Sequence, residues 1–157
     1  MPLAINSIAP DFLGNTTEGP LWFHTWIDDA WCVLFSHPKD FTPVCTTEMG
    51  AAAKAKPEFD RRGVKLIGLS IDGVEDHARW SSDIEAFSGQ SVNYPLVSDP
   101  DLKVAKLYDM LPADADTPAS ERTAMDNATS RTFFIIGPDS KIKATLSYPM
   151  TTVRDFY

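Results

Sequence analysis

Trp31-Cys32-Val33-Leu34-Phe35-Ser36-His37-Pro38-Lys39-Asp40-Phe41-Thr42-Pro43-Val44-Cys45 is the stretch on which the fold turns. Its first six residues form a short, nearly continuous apolar run, as expected of a strand buried on both faces. Pro38 and Pro43 punctuate the loop that follows. From Pro43 to about residue 62 the chain is rich in Ala, Glu, Met and Lys, which predicts a helix with a kink at Pro57. Strand, loop and helix start in this order are the first half of a β-α-β unit.

Working outward, Gly63 closes that helix and Val64 to Ile71 reads as a second buried strand. A helix is expected from about Val74 to Phe87, where Trp80 and Phe87 share the spacing of one buried face. Pro95 to Ser98 suggests a brief strand, and Asp101 to Tyr108 a short helix. Leu111 to Ser130 has no periodicity and reads as a surface loop. Thr132 to Ile136 and Ile142 to Tyr148 read as a hairpin across Gly137-Pro138-Asp139-Ser140-Lys141. No element is assigned before Trp31. Alternating strands and helices imply an α/β fold with a mostly parallel central sheet and an antiparallel C-terminal hairpin. The order fits a thioredoxin-like fold with an inserted helix-strand unit.

The 157 residues suffice for one core, so residues 1–157 are expected to form a single domain. A net charge of −8 disfavours nucleic acid and anionic lipid as partners. No apolar run approaches the ~18 residues of a membrane span, so stable membrane insertion is not expected. The N-terminus lacks the pattern of a secretory signal, and two cysteines are too few for a disulfide scaffold, so a cytoplasmic address is the expectation. His24, His37 and His77 show no metal-ligand spacing with Cys32 and Cys45, so neither a metal nor another cofactor is expected.

The chemistry concentrates on Cys45. Thr42 is a good N-cap and Pro43 suits the first helical position. Cys45 then falls third in the helix, where free backbone N–H groups and the helix dipole favour an anion. A thiol so placed has its pKa lowered and is a nucleophile at neutral pH. The competing interpretation is a small buried hydrophobe. The loop before it leaves the carboxyl end of a buried parallel strand, the usual place for a site in such sheets.

The pattern Pro38-x-x-x-Thr42-x-x-Cys45 resembles the active-site motif of the peroxiredoxins. The longer string Ser36 to Glu48 is similar to their one-cysteine, peroxiredoxin-6-type branch. Val64 to Asp72, Val74-Glu75-Asp76-His77 and Ile135 to Asp139 extend the similarity over essentially the whole chain. The resemblance implies a thiol-dependent peroxidase acting on hydrogen peroxide and organic hydroperoxides, lipid hydroperoxides among them. It implies that Cys45 becomes a sulfenic acid, that Thr42 hydrogen-bonds the peroxide and that Pro38 shields the pocket. Arg131 matches the arginine that holds the thiolate and polarises the peroxide. Without the resemblance, Arg131 reads as a solvated charge at a strand end. His37 and Val44 count as pocket-lining or supporting residues. Glu48 either orients Arg131 or is a favourable acid near the helix start.

Further implications are an external thiol reductant, a homodimer formed through the Ile142–Tyr148 edge, and Cys32 as a core residue without redox role. A redox sensor or chaperone-like relay to a partner protein is the alternative function. Position 48 is Glu48, so no C-x-x-C pair supports a thiol–disulfide oxidoreductase. A second, phospholipase activity credited to some members needs a hydroxyl at position 30, where this chain has Ala30. His24 and Asp139, which match its partner positions, are therefore expected to be structural. The family's chains also continue past residue 156 with a helix and a small domain, which are expected to be absent here.

Overall fold

The computed structural model describes residues 3–37, 43–89, 92–110 and 131–148, with the backbone alone described at 43–47, 87, 131 and 148. In chain order the elements are β1 (Leu13–Thr16), β2 (Gly19–Trp22), α1 (Phe23–Ile27), β3 (Trp31–Ser36), α2 (Pro43–Arg61) and β4 (Val64–Ser70). They continue as α3 (Val74–Ser88), β5 (Leu96–Ser98), α4 (Lys103–Leu107), β6 (Arg131–Ile136) and β7 (Ile142–Tyr148). Seven strands form one sheet in the order β2-β1-β5-β4-β3-β6-β7.

Successive side chains of the central strands point to opposite faces of the sheet, and each face packs against its own core. On one face Cys32, Leu34, Ile67, Leu69 and Val97 meet Phe12, Phe23, Tyr108 and Phe134. On the other, Phe35, Leu66 and Leu96 meet Met49, Ala52 and Ala53 of α2, and Trp80 and Ile84 of α3. Both faces of β3 are thus covered, which is why its sequence is a run and not an alternation. The Trp80 expectation holds, whereas the Phe87 side chain lies outside the described residues.

Parallel pairing joins β3 to β4 and β4 to β5. The β1–β2, β1–β5, β3–β6 and β6–β7 pairs are antiparallel. The centre expected to be mostly parallel thus has its parallel pairing on three adjacent strands, β5, β4 and β3. Each parallel step needs a crossover helix, and only α2 and α3 supply one among the described residues. An N-terminal β1–β2 hairpin, not among the expected elements, joins the sheet through β5. It is closed by the two-residue loop Thr17-Glu18, followed by Gly19 with φ +100°. The Thr16 hydroxyl donates to Gly19 O at 2.6 Å and accepts from Glu18 N–H at 3.0 Å.

Other boundaries differ slightly from expectation. Pro57 lies inside one continuous helix, α2, and Gly63, two residues past its end, is in the left-handed region (φ +68°). β4 stops at Ser70, and Arg131 is the first residue of β6 and not the residue before it. The expected loop 111–130 lies outside the described residues.

Candidate active site

Two strand ends and one helix start define the site. β3 ends at Ser36, and the next residue, His37, still donates its N–H to Leu69 O of β4 at 3.0 Å. The β3–β6 ladder runs from Cys32↔Ile136 to Phe35↔Phe133. Continued by the same register, Ser36 stands opposite Thr132 and His37 opposite Arg131. The chain returns as α2, which begins at Pro43 and so places Val44 and Cys45 second and third in the helix. The expected helix-start position of Cys45 is thus the observed one, in a turn with no acidic side chain to compete for the N–H groups. The side chains of Val44, Cys45 and Arg131, and all of Pro38 and Thr42, lie outside the described residues.

The floor under this strand end is buried and aromatic. His37 is fully buried, with its ring centroid 4.8 Å from that of Trp80 and 5.8 Å from that of His77. His77 is fully buried too, and its Nε2 stands 3.1 Å from Val97 O. A carbonyl can only accept, so the proton sits on Nε2. His77 and Trp80 come from α3, one helix turn apart, and tie that helix to the strand end. Neither was singled out as a site residue by sequence reasoning. The available signal was one histidine at the start of a helix, which specifies no partner.

Glu48, one turn beyond Cys45, is buried to 1% exposure. A carboxylate is seldom buried this far unless it is paired. The next turn of α2 is held from outside the helix, where the Tyr94 hydroxyl donates to Met49 O at 3.1 Å.

Cys32 is a different kind of thiol. It is fully buried in the core, and burial pushes its pKa far above the ordinary thiol value despite the opposing charge of Lys65. Such a thiol is not ionised at neutral pH and is a poor nucleophile. The two residues matched to the phospholipase positions are engaged elsewhere. His24 Nε2 donates to Ala9 O at 2.6 Å, and Asp139 accepts from Lys143 Nζ at 2.8 Å and from Lys141 N–H at 3.1 Å. The side-chain hydrogen bond from Lys143 holds the exposed Asp139 carboxyl below its usual range.

A model of the AhpC/TSA family matches residues 5–145. The chain is 49% identical to rat peroxiredoxin-6 and 47% identical to human peroxiredoxin-6, over 98% of its own length and 68% of theirs. Among solved structures, a Cys-to-Ser variant of peroxiredoxin 6 from Arenicola marina superposes with a TM-score of 0.88 at 43% identity, covering 98% of this chain and 69% of that one. A yeast mitochondrial 1-Cys peroxiredoxin superposes with a TM-score of 0.85 at 46% identity, covering 98% and 71%. A buried central strand followed in the chain by a helix with a cysteine in its first turn, together with these relatives, makes the chain a member of the AhpC/TSA family, in the peroxiredoxin-6-type branch of thiol-dependent peroxidases.

Proposed function

We propose that Cys45 attacks the terminal oxygen of a hydroperoxide as a thiolate, releasing water or an alcohol and leaving a sulfenic acid that an external thiol reduces. The observation that carries this reading is the third-in-helix position of Cys45, in the helix that follows the buried strand β3. Thr42 and Pro38 are assigned, from the family motif, to binding the peroxide and excluding water. Arg131 supplies the fixed positive charge, and Glu48 orients it. His37 and Val44 line the pocket. Peroxidase turnover is favoured over the sensor alternative because the relatives that cover the chain are peroxiredoxins.

The reductant is proposed to be a small thiol or a dithiol protein. The yeast 1-Cys relative is described as resolved through glutathione and thioredoxin systems. A cytoplasmic, reducing address is proposed on composition. A homodimer is proposed through β7, which stands at one edge of the sheet and carries Leu146 at 43% exposure. Unpaired edges invite strand addition.

One expected outcome tests the mechanism directly. After one equivalent of hydrogen peroxide without reductant, peptide mass spectrometry should find sulfenic acid on Cys45 and no Cys32–Cys45 disulfide. Cys32 lies four residues before the end of β3, about 13 Å below it at ~3.3 Å per residue. Cα atoms much beyond ~7 Å cannot be bridged without moving the backbone. Excess peroxide should carry Cys45 to sulfinic and sulfonic acid. A linked Cys32–Cys45 peptide as the main product would move the protein into the disulfide-forming class.

A further inference from the structure

Ser36 is fully buried at the end of a strand whose preceding residues, Val33, Leu34 and Phe35, are apolar. A hydroxyl in such a place costs desolvation and persists only where it makes a hydrogen bond that matters. Its bond falls at the point where main-chain pairing between β3 and β6 ends. The Thr132 N–H donates to Ser36 Oγ at 3.1 Å, and Ser36 Oγ stands 3.4 Å from Thr132 O. A side chain therefore takes over where the ladder stops at Phe35↔Phe133. On the far side of β6, Thr132 Oγ1 and Ser147 Oγ share a hydrogen bond of 3.1 Å. Three strands are tied at one level, and the residue they hold is the immediate neighbour of Arg131.

We propose that Ser36 is a positioning residue for Arg131, fixing the first residues of β6 relative to the chain that leaves β3 for Cys45. The proposal rests on the assignment of Cys45 and Arg131 to peroxide reduction. Ser36 touches no reacting atom. It sets the backbone height from which the guanidinium is presented, and a charge acts on a thiolate only as well as it is placed. A buried serine with a merely structural role would stabilise the fold and leave the thiol chemistry unchanged.

The test is a cycle of Ser36→Ala, Arg131→Met and the double variant. Its readouts are the rate constant for hydrogen peroxide, the pH titration of the Cys45 thiolate by ultraviolet absorbance, and the melting temperature. Ser36→Ala should slow peroxide attack about tenfold and move the thiolate titration to higher pH. In the Arg131→Met background the same change should alter the rate by less than about twofold, since the group it positions is gone. Ser36→Thr keeps the hydroxyl and should titrate as the wild type does. Equal slowing by Ser36→Ala in both backgrounds would overturn the proposal. So would a lowered melting temperature with an unmoved titration, or a Thr variant shifted as far as the Ala variant. Cys45→Ser separates the two layers. Peroxide consumption that survives it condemns the nucleophile assignment, whereas its loss beside a normal Ser36→Ala condemns only the positioning role.

Discussion

Cys45→Ser is expected to abolish peroxide consumption, lowering the rate constant at least about a thousandfold, the scale on which removing a nucleophile acts. Serine keeps the shape of the residue and its place in the first turn of α2, so circular dichroism and melting should stay near the wild type. Cys32→Ser should behave in the opposite way. Its hydroxyl would enter a fully buried site in the apolar core, at a cost of about 1–3 kcal/mol if it finds no partner. Most of the peroxidase rate should remain, because the Cys32 thiol is held protonated by its surroundings and takes no part. The two serine variants thus separate chemistry from stability. Comparable activity losses in both would show that the nucleophile has been misassigned.

The second large effect belongs to Arg131→Met. Methionine retains much of the length of the side chain and removes the charge, so the variant isolates electrostatics from packing. The thiolate loses its nearest fixed cation in this assignment, and the Cys45 pKa should rise. The peroxide rate climbs with pH as the thiol ionises, so the variant's climb should begin at higher pH. At neutral pH the rate should fall about 10²–10³-fold, the usual effect of losing one preorganised charge-stabilising donor. Part of that loss should persist above the thiol pKa, because the proposed role also has the guanidinium polarise the peroxide oxygens. A variant with unchanged titration and rate would place the electrostatic work on another group.

Where the sequence was readable, it was so for identifiable reasons. α2 and α3 are long and end in glycines whose positive φ closes a helix, and β3 is apolar because both its faces are covered. The hairpin of β6 and β7 announces itself through Gly137-Pro138-Asp139. β1, β2 and α1 were missed. Along Leu13-Gly14-Asn15-Thr16 the buried positions are Gly14 and Thr16 while Leu13 is exposed, which inverts the usual hydrophobic alternation. α1 has only five residues, too few to establish a helical period. The turn at Thr17-Glu18 followed by Gly19 was the available clue.

The same contrast holds at the site. Cys45 could be placed because Thr42-Pro43 marks a helix start locally. Glu48 leaves two roles open, and its burial at 1% exposure is a tertiary feature that no local pattern announces. The bond from Thr132 to Ser36 spans 96 residues, and that of His77 to Val97 depends on how α3 seats against β5. No local pattern encodes such pairings, since they arise from sheet order and register.

That 96-residue separation also governs how the protein is made. Ribosomes add about 5–20 residues per second, so β3 waits roughly 5–20 s for β6 after it emerges. β4 pairs with one side of β3 early, whereas the side destined for β6 stays open with its N–H and C=O groups unmatched. Leu34 and Phe35 lie along that open edge, and two nascent chains on one polysome offer each other the same edge. The stability of the completed sheet does nothing to protect this edge, because the exposure ends before that sheet exists.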